Sequence, residues 1–150
     1  MTIADIFDQV QSKCLATGLF DQVNMYEPKS PPGTGLTCAV WVQKIGPVPE
    51  SSGLSMTAGR LEFMIRLYTS MLSEPQDAID PDLFGATLTL LGIFSGDFEL
   101  SGAVRNVDLL GSTGTALTGA AGYLNTGGKL MRIIDITLPL IINDLWIQVA

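Results

Sequence analysis

Two segments of the chain alternate between apolar and polar residues, which is the period of a β-strand with one buried face. They are Leu36–Ile45 and Ala58–Met71. The pattern predicts two long strands paired as an antiparallel hairpin. The connection between them, Gly46–Thr57, is rich in glycine, proline and serine and is too long for a tight turn. Loops of this length are usually either disordered or used for contacts.

Alternation assigns the side chains of each predicted strand to two opposite faces. In the first strand, one face holds Leu36, Cys38, Val40 and Val42, and the other holds Thr37, Ala39, Trp41 and Gln43. In the second strand, one face holds Leu61, Phe63, Ile65 and Leu67, and the other holds Arg60, Glu62, Met64, Arg66 and Tyr68.

Helical periodicity predicts a helix at the start of the chain. Thr2 stands where a side-chain cap is favoured, and Gly18 stands where a left-handed residue ends a helix. The apolar residues at helical spacing are Ile3, Phe7, Val10 and Cys14.

A second helix is predicted to begin at Asp80-Pro81, because Asp is a preferred cap and Pro has its φ preset for the first helical position. It would run through Phe94 and stop at Gly96. The segment around Thr87–Leu90 also alternates like a strand, but its caps and length favour the helix.

The remaining pattern is mostly extended. Phe20–Tyr26 is a short extended piece, Glu27–Gly35 is a proline-glycine turn region, and the apolar tail Asn143–Ala150 is expected to dock on its own domain or on a neighbour. Phe98–Leu100 and Ala103–Leu110 are predicted to be extended, and Lys129–Leu140 is predicted to be the final strand. Before that strand, Gly111–Gly128 is either an irregular excursion or a loose hairpin.

The order of elements predicts an α+β fold across residues 1–150 as one domain. We expect an antiparallel or mixed β-sheet with a long central hairpin and with helices packed on one face. In the final strand, Leu130, Ile134, Ile136, Leu138 and Leu140 share one face, and Met131, Ile133, Asp135 and Thr137 share the other.

The composition predicts that much of the apolar surface lies between subunits. Hydrophobic residues make up 47% of the 150 residues and charged residues only 15%, with a mean hydropathy of +0.36. Isolated domains seldom tolerate large exposed apolar patches. The net charge of −7 argues against non-specific binding to nucleic acid, which needs clustered Lys and Arg. An acidic surface would still let DNA pass nearby without sticking.

The same residues predict a soluble, cytosolic protein with reduced thiols. Met1–Ala16 has no basic leader, and the most apolar stretch, Ile133–Ile142, is interrupted by a charge and a proline and is short for a membrane span. Cys14 and Cys38 are interpreted as small buried hydrophobic residues.

Residues for catalysis are scarce. The chain has no histidine, which excludes Ser-His-Asp and Cys-His arrangements. Asp77, Asp80 and Asp82 are better explained by a helix start than by a hydrolytic pair or a calcium loop. Gly122–Lys129 misses the spacing of a phosphate-binding loop and is interpreted as a turn. We therefore expect no enzyme activity, no metal and no cofactor, with a small-molecule binding or hydrolytic domain as a distant alternative.

Five residues are candidates for an oligomer or partner interface. Their face of the hairpin is either a solvated sheet surface or an intersubunit surface, where Arg, Tyr and Met are enriched. The candidates are Trp41, Arg60, Glu62, Arg66 and Tyr68.

Several stretches, in order and covering nearly the whole chain, resemble one protein family. They are LATGLFDQVNMYEPKSPPG, LTCAVWVQKIGPVP, RLEFMIRLYTSMLSEPQDAIDP, FSGDFELSGAVRNVDLLG and ITLPLIINDLW. Together they resemble the tail terminator (tail completion, head-tail joining) proteins of long-tailed siphophages.

The resemblance implies a structural virion protein at the head-proximal end of the tail, assembled in the host cytoplasm. It implies a homo-hexameric ring that caps the tail tube, stops its elongation and offers the docking interface for a head-tail connector protein. DNA would pass through the lumen without specific binding. The implied contact elements are Gly46–Thr57, one face of Ala58–Met71, and Gly111–Gly128. Charge reversal at Arg60 and Arg66 would then abolish the ring and leave the fold intact. The alternatives are another head-tail connector (a stopper or adaptor) and the tail tube protein.

Overall fold

The computed structural model describes residues 3–28, 35–48, 58–71, 76–112 and 114–146. In these residues, two helices pack against one mixed sheet of six strands, which confirms the predicted α+β fold class. The elements in chain order are α1 (Ile3–Ala16), β1 (Gln22–Asn24), β2 (Thr37–Pro47), β3 (Ala58–Ser70), a 3-10 turn (Gln76–Ala78), α2 (Ile79–Gly96), β4 (Asn106–Val107), β5 (Thr118–Thr126) and β6 (Lys129–Asn143).

The sheet has β3 and β6 at its centre. Its order is β1-β2-β3-β6-β4, and β5 also pairs with β6. Because β3 occupies one edge of β6, both β4 and β5 lie along the other edge, at opposite ends of β6. The short β1 pairs parallel to β2, and the other pairs are antiparallel, so the sheet is mixed.

The predicted central hairpin is confirmed. β2 and β3 pair from Thr37↔Tyr68 to Pro47↔Gly59, with a β-bulge at Gln43. Gly46 and Pro47, predicted to begin the connecting loop, instead continue β2. The part of that loop at positions 49–57 lies outside the described residues, as do positions 29–34 of the predicted turn region.

The main core lies between the helices and one face of the sheet. Strand alternation supplies the sheet side of this core, as the sequence predicted. Its sheet residues are Cys38, Val40, Leu61, Phe63, Ile65, Leu67, Ile134, Ile136, Leu138, Leu140 and Ile142. Helix α1 contributes Ile6, Val10 and Cys14, and α2 contributes Leu83, Ala86, Leu90 and Phe94.

Helix α1 is confirmed, with one change to its buried face. Ile6 is buried, whereas Ile3, in the first turn, is 48% exposed. Phe7 packs edge-on against Phe63, with ring centroids 5.0 Å apart. Gly18 ends the helix with φ 67°, as predicted. The predicted cap Thr2 lies outside the described residues.

Helix α2 is confirmed in extent but not in its cap. It begins at Ile79, and its N-cap is Ala78 without a side-chain hydrogen bond. The predicted cap Asp80 is instead in the first turn and pairs with Arg132 at 3.0 Å. The local pattern assigned the Asp80 carboxylate to capping the helix, but it forms a long-range ion pair instead.

The prediction of extended structure at Phe98–Leu100 and along most of Ala103–Leu110 is wrong. Only Asn106–Val107 is a strand, and turns occupy the rest. Leu100 and Ser101 adopt positive φ (48° and 57°). The Asp97 carboxylate stabilises this turn by accepting hydrogen bonds from the amide and hydroxyl of Ser101.

The glycine-rich region before the last strand contains a hairpin. Strand β5 pairs with β6 through the turn at Gly127 and Gly128, both with positive φ. The final strand is confirmed and extends to Asn143. The apolar tail docks on its own domain at Leu145, which contacts the core beside Gly59. Positions 147–150 lie outside the described residues.

Candidate functional site

The face of the sheet opposite the helices carries all five predicted interface residues. Even-numbered residues of β3 point to this face, and alternation across the pairs Ala39↔Arg66↔Asp135 and Thr37↔Tyr68↔Ile133 brings their neighbours in β2 and β6 beside them. The structure divides the five into two groups on this face. Trp41, Arg66 and Tyr68 lie together near the middle, and Arg60 and Glu62 lie together near the end.

The first group forms what we call the aromatic–arginine cluster: Trp41, Arg66, Tyr68 and Asp135. The Arg66 guanidinium carbon lies 5.2 Å from the centre of the Trp41 ring and 6.0 Å from that of Tyr68. Arg66 Nε donates to Asp135 Oδ1 at 2.5 Å, and a second nitrogen donates to Oδ2 at 3.1 Å. The guanidinium is thus fixed by a two-point ion pair and two aromatic rings.

Burial in the cluster increases from Trp41 to Tyr68. Trp41 and Arg66 are half-buried, whereas Tyr68 is 2% exposed and packs with Ala39, Met131 and Ile133. The ion pair with Asp135 raises the pKa of Arg66, so this arginine stays charged at every accessible pH. Burial raises the pKa of the Tyr68 phenol, and the neighbouring Arg66 opposes this rise.

The composition of the cluster fits protein recognition. Trp, Tyr and Arg are the residue types most enriched among those that dominate binding energy at protein interfaces. A guanidinium already held by an ion pair and an indole loses little side-chain freedom on binding. The cluster therefore presents a pre-organised, half-exposed surface rather than a set of flexible charges.

The second group forms an internal ion network that we call the Arg60 clip: Arg60, Glu62, Asp108 and the carbonyl of Thr115. Arg60 Nη1 donates to Asp108 Oδ2 at 2.5 Å, and Nε donates to Glu62 Oε2 at 3.0 Å. The other terminal nitrogen donates to the Thr115 carbonyl. Arg60 is 6% exposed and Glu62 is 8% exposed.

The clip holds the segment that follows β4 against the end of the sheet. The Asp108 carboxylate also accepts hydrogen bonds from the amide and hydroxyl of Ser112, each at 3.0 Å. At Gly114 the chain passes directly over the guanidinium, since a Cβ there would lie 2.7 Å from Arg60 Nε. A side chain at this position would therefore have to displace the paired guanidinium.

These contacts correct one expectation about Arg60. Charge reversal there was expected to leave the fold intact, but the side chain is buried and paired within its own subunit. Reversal would place a third carboxylate beside Asp108 and Glu62, which destabilises the domain itself. Whether any of the five residues contacts another subunit stays a prediction.

Two acidic partners, Asp135 and Asp108, were not among the predicted site residues. Alternation placed Asp135 on the correct face. An acidic residue in an otherwise apolar strand indicates that a basic partner lies nearby, and here that partner is Arg66. Asp108 had no such signal. It lies 48 residues from Arg60, in a segment whose turns the sequence pattern did not predict.

The described residues offer little for a cofactor or metal. No group of three or more His, Cys, Asp or Glu side chains in this part of the chain is arranged to hold a metal ion. A cavity of about 450 Å³ beside the Arg60 clip is lined by Lys44, Gly46, Pro47, Arg60, Glu62, Gly114 and Thr115. Its charged groups are already paired with one another, apart from the exposed Lys44.

Cys14 and Cys38 are both buried and free, as the sequence predicted. The pKa of the Cys38 thiol is raised, mainly by a hydrogen bond with Cys14 and to a smaller extent by burial. A neutral thiol is a poor nucleophile and a poor metal ligand.

By length and composition alone, one helical stretch, Gln76–Gly96, is apolar enough to cross a membrane, with a mean hydropathy of 1.2. Six of the residues of α2 are buried in the domain, most of them in the main core. The apolar character of this helix is therefore partly explained by packing.

Comparison with known proteins supports the fold. No protein-family model and no curated protein matches the chain. Fourteen chains of solved structures do match. One is the sheath/tube terminator of an extracellular contractile injection system, PVC, seen by cryo-EM in its extended state. The TM-score is 0.51 at 11% sequence identity, over 100% of this chain and 62% of that one.

The chain has a terminator-like fold. At 11% identity the likeness shows the fold and not the partners, and the chain spans 62% of the length of that terminator. The fold of this match agrees with the fold that the resemblance found in the sequence implies. Membership of the siphophage family and a hexameric ring remain predictions.

Proposed function

We propose that this protein is a siphophage tail terminator, a structural virion protein that caps the head-proximal end of the tail tube. Six copies form a ring that stops addition of tube subunits and presents the docking interface for a head-tail connector protein. DNA passes through the lumen without specific binding. The protein acts without catalysis, cofactor or membrane.

The observation that carries this proposal is the likeness of the fold to a sheath/tube terminator, over 100% of this chain and 62% of that one. It agrees with an independent sequence resemblance to siphophage terminators. The net charge of −7 fits a lumen that repels the DNA backbone. The aromatic–arginine cluster supplies a surface of the composition that protein partners bind.

The test is to add the purified protein to growing tail tubes and to measure tube length by electron microscopy. A terminator stops elongation and is found only at tube ends. If the protein is incorporated along the tube, it is a tube subunit. If elongation continues and the protein does not bind tube ends, the proposal is wrong, and a connector role becomes the better hypothesis.

A variant pair shows whether the aromatic–arginine cluster takes part. Trp41→Ala should weaken capping by about tenfold or more, if Trp41 belongs to the centre of the interface. Trp146→Ala is the matched control, because Trp146 is 36% exposed and lies outside the cluster. Equal capping by both variants would remove the cluster from the proposed interface and leave the capping function standing.

A further inference from the structure

Beyond its first turn, which holds Asp80 and Asp82, the outer side of α2 lacks charged residues. From Leu83 to Gly96 the helix carries no charged residue. Only some of its apolar residues are buried, so the others lie on the outer side. Leu88 is 69% exposed and Phe84, one turn earlier, is 42% exposed. Loss of charge together with exposed large apolar side chains is the composition of the centre of a protein interface.

Strand β5 lies along the same side of the molecule. At one end, a Cβ on Gly119 would lie 3.4 Å from Thr87 Cγ2 of α2. At the other end, the Tyr123 ring stacks on Arg132, with 4.5 Å between the guanidinium carbon and the ring centre, and Arg132 pairs with Asp80 in the first turn of α2. These contacts place β5 beside α2.

Strand β5 is also an open edge. Among the described residues it pairs with β6 alone, so its second edge has no strand partner there. Its nine residues contain no charge and no proline, and their register with β6 is unbroken from Thr118 to Thr126. Most of its side chains are exposed.

The opposite edge of the sheet differs. Strand β2 is paired with β1 only at Thr37–Ala39, and its remaining edge carries a bulge at Gln43, a lysine at position 44 and a proline at position 47. Lysine, proline and bulges are the devices by which natural sheets prevent edge pairing. The β5 edge has none of the three.

We infer that β5 and the outer side of α2 form the surface by which one copy of this chain holds the next. A strand of the neighbouring copy pairs with the β5 edge, and its apolar side chains pack on Phe84 and Leu88. This inference rests on the proposed ring, because the ring is what requires contact between copies.

A second copy fits this surface better than a transient partner. Interfaces between permanent copies of one chain are more apolar than those of transient complexes, which resemble ordinary protein surface. This surface lacks charge along β5 and from Leu83 to Gly96 of α2. The two edges of the sheet are also unlike, so contact through β5 is compatible with the head-to-tail arrangement that closes into a ring.

The test is the oligomeric state over a series of protein concentrations, measured by light scattering after size exclusion. The wild-type protein should assemble as concentration rises, with increasing protection of β5 amides against hydrogen exchange. Ala121→Lys in β5 and Leu88→Lys in α2 should each weaken assembly by about tenfold or more, because both introduce charge into an uncharged surface.

Matched controls exist on α1. Ala4→Lys and Leu15→Lys make the same changes at exposed positions, Leu15 being 56% exposed. They should assemble like the wild type. All four variants should unfold at nearly the wild-type denaturant concentration, since none replaces a buried side chain.

Three results would overturn the inference: a wild-type protein that stays monomeric at every concentration, assembly that survives both Ala121→Lys and Leu88→Lys, or β5 amides that gain no protection. Flotation with lipid vesicles that is lost in Leu88→Lys would assign the surface to a membrane instead. The tube-capping test is independent, so capping by a variant with an unchanged oligomer would refute this surface without refuting the proposed function.

Discussion

Strand β3 carries two arginines on one face of the sheet, and their surroundings differ sharply. Arg60 is 6% exposed and contacts two carboxylates and a carbonyl of its own chain. Arg66 is half-buried and contacts one carboxylate and two aromatic rings. The difference arises from Asp108, Gly114 and Thr115, which lie against Arg60.

The comparison separates two uses of the same residue type. Arg60 joins a loop to the end of the sheet, so its ion pairs stabilise the folded domain. Arg66 fixes an aromatic surface and leaves part of it open to solvent, so it is suited to contact another molecule. Substitutions at these positions should therefore differ in both size and kind of effect.

The largest effect is expected from Arg60→Met. Removing one member of a buried ion network leaves the carboxylates of Asp108 and Glu62 without this partner, which typically costs about 3–5 kcal/mol. The free energy of unfolding, measured by denaturant titration, should fall by this amount. Arg66→Met is the matched control and should cost about 1 kcal/mol, since its ion pair is more exposed. Equal losses at the two positions would contradict the distinction.

A smaller effect is expected from Asp108→Asn. The amide keeps the shape of the side chain and still accepts from Ser112, but it loses the charge that faces Arg60. The expected loss is about 1.5–3 kcal/mol, the range for a hydrogen bond with a charged group. Hydrogen exchange should show faster opening at Ser112 and its neighbours. Unchanged exchange there would show that the Arg60 clip does not hold this segment.

The sequence predicted the two arginines equally, and the reason they differ is not local. Alternation correctly assigned both to one face and placed Asp135 there too. It could not reveal that Asp108 and Thr115 would contact Arg60, because the pattern suggested extended chain along Ala103–Leu110, where the structure has mostly turns. The contact joins residues 48 positions apart.

The fold was easier to predict from the sequence than the site, again because the contacts of the site are not local. Periodicity reports which side of an element is apolar, and this sufficed for the hairpin, both helices and the final strand. It does not report which polar side chains meet across the sheet. It also left Gly111–Gly128 open between an irregular excursion and a loose hairpin, although the resemblance named this segment as a contact element. The outer side of α2 was not named.

A third effect, smaller again, is expected for coupling between Arg66 and Trp41. The guanidinium lies 5.2 Å from the indole centre, within cation–π range. A double-mutant cycle with Arg66→Met and Trp41→Leu should give a coupling of about 0.5–1 kcal/mol in unfolding free energy. The Arg60→Met and Trp41→Leu pair is the control and should be additive. Zero coupling in the first cycle would show that the two side chains are only neighbours.

The smallest effect concerns pH and the phenol of Tyr68. Its pKa is raised above the ordinary value of 10.0, chiefly by burial, so the folded state holds the proton more tightly than the unfolded state. The resulting stability is complete below the unfolded pKa and is lost as pH rises through the folded pKa. The wild-type melting temperature should therefore fall more steeply above pH 10 than that of Tyr68→Phe. Cys38, whose pKa is also raised, contributes equally to both proteins, so the difference between the two curves isolates Tyr68. Parallel curves would mean that the phenol ionises as readily in the folded chain, and that the aromatic–arginine cluster is open to water at Tyr68 as well as at Trp41.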